Sequence, residues 1–397
     1  MFTYRYLLHK LKLPLFCIIM FLPAESCIDR YYPEEYIEST SKLVVDGIIT
    51  DESEMQKIVL SKTSSLEKQE FIPYSYCIVQ VSDDKGNSFF FEEQADEPGN
   101  YYGQIEEQFL TVGSKFRLEV VTPENKRYLS SYEELLPSPD IDTVYYEIIS
   151  MPTSDPEVFI DGAQFYLDFF ATDEFGKNYL FRLEETYEYH STWPIRSYFD
   201  ETGFVSSPAD YSKFICYKTD LIPTIFLLTT SNLVENTYIK YELNFVNDHT
   251  QQLLHHYTLY IKQYALSESA YNFWKILKEN NQDIESLYAK QPQIIIGNIK
   301  NADNSGEPAL GYFGVSSVVT HRLTIKKSEG LSFNEVPYCT PIWPETGFPP
   351  TKPLYLVGMK NPKDPEGPSG WGYADAECFD CTLLGGTVVK PPFFEDE

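Results

Sequence analysis

The chain is short of positive charge. It has 31 basic against 59 acidic residues, a formal net charge of −28. A surface this acidic repels phosphate backbones, which excludes nucleic acid as an expected partner and argues against basic patches that grip anionic lipid. Methionine is scarce, with 5 residues against 31 Tyr and 27 Phe, a bias toward sheets and away from helical bundles. The longest early apolar run, "LPLFCIIMFL" (13–22), has ten residues, and a membrane-spanning helix needs about 20. Fixed-period repeats and low-complexity tracts are also missing.

Motifs of common chemistries are absent as well. There is no GxSxG elbow and no Gly-rich phosphate loop. "HTQQLLHH" (249–256) lacks HExxH spacing, and a third ligand at a diagnostic distance is wanting. Adjacent histidines on a strand point to opposite faces, so His249, His255, His256 and His321 read as surface or strand residues and no metal is expected. "NADNSGE" (301–307) has oxygen ligands without EF-hand order and reads as a polar loop. No cofactor is implied.

What is present begins at the N-terminus. Arg5, Lys10 and Lys12 precede the apolar run, and small residues follow it, the layout of a secretory signal over 1–26. Ala24 and Ser26 stand at the third and first positions before Cys27, and "AESC" resembles a bacterial lipobox. Cys27 is then the acylated first residue of the mature chain, with 27–41 as a polar tether. Loss of residues 1–26 leaves 28 basic and 58 acidic residues, a net charge of −30.

Export places the remaining cysteines in an oxidising compartment. Cys77, Cys216, Cys339, Cys378 and Cys381 are odd in number, and the isolated Cys77 is the candidate for the unpaired one. The other four allow three pairings. "CFDC" (378–381) lies between "WGYADAE" and "TLLGGT", unlike a redox cysteine that opens a helix, so bridges to Cys216 and Cys339 explain it more simply.

With 43% hydrophobic residues the chain can bury a substantial core, and the length after Cys27 suggests two domains. From 42 onward, short alternating segments such as "KLVVDGIIT" and "KFRLEVVT" are separated by turn chemistry such as "DDKG" and "EPGN". The pattern predicts a mainly all-β protein of two β-sandwich-like domains, an immunoglobulin- or transthyretin-like one over 42–136 and a second over 140–397. "LLPSPDIDTVYY" (135–146) reads as the junction, and "DEFG" (173–176) as a hairpin turn. One amphipathic helix is expected near 267–290, capped by Ser267 or Ser269. Trp274 falls on its apolar face, whereas Trp343 and Trp371 fall in Pro/Gly-rich loops and are the candidates for ligand contact.

The blocks "GNIKN…LGYF" and "ECFDCTLLGGTVVKPPFF", with "KLVVDGIITDE" and "PDIDTVYYE" further forward, resemble the exported lipoprotein family catalogued as domain of unknown function 4249. The resemblance implies two β-rich domains, anchorage in a Gram-negative outer membrane, and a place beside TonB-dependent transporters. It carries no catalytic residues. The expectation is a non-enzymatic, lipid-anchored accessory or ligand-binding partner of such a transporter. Two alternatives stand beside it. One is a surface glycan or peptide hydrolase with carboxylates hidden among the acidic residues. The other is a structural assembly factor using exposed apolar loops such as "PTIFLLTT" (223–230).

Overall fold

The computed structural model describes residues 41–64, 70–155, 157–282, 295, 297–304, 306–326, 330–331 and 339–394. The signal segment and Cys27 lie outside the described residues.

The first strands follow the alternation read from sequence. They are β1 (Leu43–Thr50), β2 (Gln56–Lys62), β3 (Ile72–Pro73), β4 (Ile78–Asp83), β5 (Ser88–Glu93), β6 (Asn100–Gly103), β7 (Lys115–Val121), β8 (Arg127–Ser130) and β9 (Glu133–Glu134). Every second side chain faces one core built from Val45, Ile58, Leu60, Val79, Val81, Phe116, Leu118 and Val120. Burial of each such aliphatic or aromatic side chain contributes about 1.5–3 kcal/mol, which makes the register costly to shift.

The next elements are β10 (Thr143–Pro152), β11 (Phe159–Phe170), β12 (Asn178–His190), β13 (Ile195–Asp200), β14 (Gly203–Asp210), β15 (Ile215–Thr229), β16 (Thr237–Asn247) and β17 (Tyr257–Ala265). Helix α1 (Glu268–Gln282) follows, then β18 (Ile299–Asn301), β19 (Leu310–Ser316), β20 (Val318–Ile325), β21 (Leu354–Asn361) and β22 (Asp364–Ala374). The protein is therefore mainly β, with sandwich-like sheets and one α-helix among the described residues.

The first sheet has eleven strands in the order β18-β8-β7-β4-β5-β6-β2-β1-β19, with β3 on β2 and β9 on β7. Strands β18 and β19, placed by sequence with the second unit, thus hydrogen-bond into the first sheet. Their apolar side chains explain this, since Ile299, Phe313 and Val315 all enter the first core. β19 runs parallel to β1, and at Gly311 (φ +89°) a Cβ would stand 1.8 Å from the Val45 carbonyl oxygen. Only glycine fits both that conformation and that approach.

A three-stranded sheet, β10-β11-β16, faces a four-stranded one, β15-β12-β17-β20. Their shared core is aromatic, with Phe165 stacked on Tyr257 at 5.4 Å and Phe169 against Tyr179 at 4.5 Å. "DEFG" turns the chain here but not as a hairpin, because β11 and β12 belong to opposite sheets. Phe169 and Tyr179 on either side of the turn are both core residues, and burying both requires a corner. "PTIFLLTT" is likewise not a loop. It is the end of β15, with Phe226 and Leu228 in the sandwich core and Ile225 and Leu227 packed beneath α1. The exposed-loop premise of the assembly-factor reading is lost with it.

Helix α1 is capped by Ser267, whose hydroxyl accepts from the Ala270 amide at 3.2 Å. Ala270 and Phe273 pack on Leu180, Tyr264 and Tyr312, with Trp274 partly buried beside them. The buried Glu133 ties this end of the helix to the first sheet, accepting from Ser267 (2.9 Å), Tyr312 (2.8 Å) and Asn298 (3.2 Å). A fourth donor, the Ser131 hydroxyl, stands at 3.2 Å, so the buried carboxylate is well satisfied.

Candidate functional site

A fourth sheet, β14-β13-β21-β22, has two unlike faces. One is covered by the cysteine-rich segment, where Cys339, Ala374, Cys378 and Phe379 bury together with Trp193, Ile195, Tyr355 and Val357. Cys216 bonds Cys381 at 2.04 Å and Cys339 bonds Cys378 at 2.06 Å, so both "CFDC" cysteines are cross-links to the two distant ones. Main-chain bonds reinforce them, Trp193 N–H to the Cys378 carbonyl (3.0 Å) and Cys381 N–H to that of Lys213 (3.1 Å). Asp380, between the cysteines, caps the following turn through the Thr382 amide at 3.0 Å. Among the described cysteines Cys77 alone is unbridged, and it is buried.

The other face is aromatic and open. Trp371 on β22 is 40% exposed, Phe204 on β14 is 50% exposed, and Phe348 in the preceding loop is 37% exposed. Phe199 joins them, 5.5 Å from Phe204 and 5.3 Å from Phe348, and Phe204 lies 6.0 Å from Trp371. On the same face of β21, Leu354 and Leu356 are buried and pair with Phe199 and Ser197 of β13. Lys352 stands 4.5 Å from the Phe199 ring centre. Asp200 is consumed by the β13–β14 turn, accepting from the Thr202 hydroxyl (2.6 Å), its amide (2.7 Å) and the Gly203 amide (3.2 Å). Those bonds, the Thr202 hydroxyl first, hold its carboxyl below the usual range.

The two tryptophans singled out from sequence are not brought together. Trp371 is on a strand, not in a loop, and faces solvent. Trp343 lies on Gly370, where a Cβ would come 2.7 Å from its ring. Adjacent residues of a strand face opposite ways, so Trp343 packs on the side away from Trp371.

A polar cluster lies at the end of β12. Glu188 and His190 are two residues apart on the strand and share a face. Glu188 Oε1 is 2.8 Å from His190 Nε2, and Oε2 is 2.9 Å from His256 Nδ1. The His255 ring stacks on His190 at 3.8 Å between centres and 19° between planes. His255 and His256 do not diverge as adjacent strand residues would, because they occupy the bend before β17. There the backbone is held by the Glu188 N–H bond to the His256 carbonyl at 2.8 Å. Burial pulls the Glu188 carboxyl upward, but hydrogen bonds and charge from His190 and His256 outweigh it and leave it below the ordinary glutamate range. One ligand atom each from Glu188, His190 and His255 falls within 4.8 Å of the others, so these three could hold a metal ion. His249 lies beside Asp248 instead, at 3.5 Å, and His321 is on β20. Glu188 and His190 were missed from sequence, although "EYH" at strand spacing is a legible signal.

A cavity of about 220 Å³ is lined by Asp46, Glu52, Arg182, Lys262 and Tyr264 among others. Its carboxylates face cations, with Glu52 3.1 Å from Lys262 and Asp46 3.7 Å from Arg182.

A family model described as Domain of unknown function (DUF4249) matches residues 29–322. The chain belongs to this family. No curated protein matches the chain. The DUF4249 match contains the first sheet and the Glu188 cluster, ends within β20 of the sandwich, and stops short of Cys339, Trp343 and Trp371. The "GNIKN…LGYF" block has a physical basis in this fold, since a Cβ at Gly297 would stand 1.7 Å from the Gly311 carbonyl oxygen. Among the described residues no helix is long and apolar enough to cross a membrane.

Proposed function

We propose that this DUF4249 protein is an exported binding lipoprotein, anchored by acylated Cys27 in the outer membrane, that serves a TonB-dependent β-barrel transporter without chemistry of its own. The observation that carries the binding role is the exposed ring cluster of Phe204, Phe348 and Trp371. Monomeric proteins seldom leave so many large rings on one face unless something covers them. Ring faces are suited to the flat apolar faces of sugars, so the nutrient is a carbohydrate chain, stacked against the rings of β13, β14 and β22. Two disulfides agree with life in an oxidising compartment. The acyl tether holds the module near the barrel, which raises its effective concentration there without any new contact.

The test is affinity electrophoresis of the mature domain through gels containing soluble polysaccharides. At least one polysaccharide should retard the wild type, and Phe204→Ala with Trp371→Ala should restore free mobility with the melting temperature unchanged. Equal retardation of both proteins, or none across neutral, acidic and amino-sugar polymers, contradicts the reading.

A further inference from the structure

We propose that Glu188, His190 and His255 form a binding site for a single divalent transition-metal ion of the zinc class, with His256 orienting the carboxylate. Nothing in the binding role above requires this site, and the two stand or fall separately.

The strand ladder supplies the arrangement. β12 presents Glu188 and His190 on one face, and the register Tyr187–Tyr257 with the Glu188–His256 main-chain bond delivers His255 and His256 beside them. Zinc binds imidazole nitrogen at about 2.0–2.1 Å and carboxylate oxygen at about 2.0–2.2 Å, so ligand atoms around a tetrahedral ion lie about 3.3 Å apart. The three atoms already fall within 4.8 Å, and side-chain rotations close the remainder. Glu188 Oε1 and His190 Nε2, now 2.8 Å apart, need only open slightly to admit the ion between them.

The chemistry of the donors selects the ion. Two imidazoles and one carboxylate suit zinc, copper, nickel or iron, whereas calcium and magnesium want oxygen shells. The support around the ligands is that of metal sites. Glu188 Oε2 is held by His256 Nδ1 at 2.9 Å, which fixes the carboxylate and turns Oε1 toward His190 Nε2, the bond the ion would replace. Phe214 lies 5.2 Å from the His190 ring and Phe394 5.4 Å from that of His256, giving the site apolar walls. Glu188 is 9% exposed, so its charge is screened little by solvent. A net charge of −28 further concentrates cations at the surface. The His190 and His256 side chains are 24% and 32% exposed, which leaves water room to complete the coordination.

The experiment uses mature protein without a polyhistidine tag, stripped with chelator and titrated with Zn²⁺ by calorimetry and with Co²⁺ by visible absorption. The expected result is one ion per chain, and Co²⁺ bands of a nitrogen-and-oxygen site. Saturable binding should be lost in His190→Ala and in His255→Ala, weakened about 10–100-fold in His256→Ala, and unchanged in His249→Ala. Circular dichroism checks that each variant is folded, and the Co²⁺ spectrum of the wild type tests the donor set without any substitution. Absence of saturable binding at sub-millimolar Zn²⁺ overturns the proposal. So does a sulfur-to-cobalt charge-transfer band, which would assign the ion to Cys77, or wild-type affinity in both the His190 and His255 variants.

Discussion

Cys77 shows how a single side chain is fixed by its surroundings. Its amide donates to the Tyr101 hydroxyl at 3.0 Å, that hydroxyl donates to the Tyr74 carbonyl at 2.8 Å, and burial pushes the thiol up to about 11. The thiolate is the reactive form, so Cys77 should resist thiol reagents in the native protein and label only in denaturant. Rapid labelling without denaturant would contradict this. Glu93 clamps two connections at once, accepting from the Gly99 amide at 2.8 Å and the Tyr76 amide at 2.9 Å. Burial works against its charge, but these bonds win and hold its carboxyl below the ordinary range. A lowered folded value means the stabilisation is complete above the unfolded pKa and is lost as pH falls through the folded one. Glu93→Gln should therefore cost about 1 kcal/mol in urea unfolding at neutral pH, and the cost should shrink as pH falls below the ordinary glutamate range. A gap that is constant with pH would refute the assignment. At this scale the odd cysteine count and the isolated position of Cys77 made it legible as the unpaired one, because neither needs geometry. Glu93 was not legible, since the Gly99 and Tyr76 amides it accepts from leave no trace in side-chain pattern.

Among the elements, β19 carries the sharpest constraint. Gly113 and Gly311 share φ of +89°, yet a Cβ at Gly113 would meet nothing within 4 Å while at Gly311 it would meet the Val45 carbonyl. Gly113→Ala should then cost about 1–2 kcal/mol, from backbone conformation alone. Gly311→Ala should cost more than that or prevent folding, because β1 and β19 must separate. Equal melting temperatures for the two variants would show that the parallel pairing contributes little. Most strands were readable in advance, since period-two alternation is local, and so was α1 with Ser267 among its expected caps. Pairings were not readable. β1 meets β19 across more than 250 residues of chain, and the short β18 and β19 carry only a few apolar residues to advertise their partners. "PTIFLLTT" was misread for a related reason. Its apolar residues on both faces are covered by two different layers, so no alternation survives to mark a strand.

On the scale of the whole molecule, export, tether and binding surface form one account. The acidic balance of the chain disfavours a nucleic-acid partner, and its open rings lie on a sheet whose opposite face is cross-linked. The candidate aromatic site was only half visible in sequence. Trp371 could be named from its Pro/Gly-rich surroundings, but Phe199, Phe204 and Phe348 come to it from β13, β14 and a distant loop. The central claim is service to an outer-membrane transporter, and its most direct test is native co-purification. The full lipoprotein would be recovered from gently solubilised outer membranes and its companions identified and quantified by mass spectrometry. The account predicts a TonB-dependent β-barrel in near-equal amount, absent when Cys27→Ala releases the protein from the membrane. Recovery of the anchored lipoprotein alone, with no barrel at comparable amount, would contradict it.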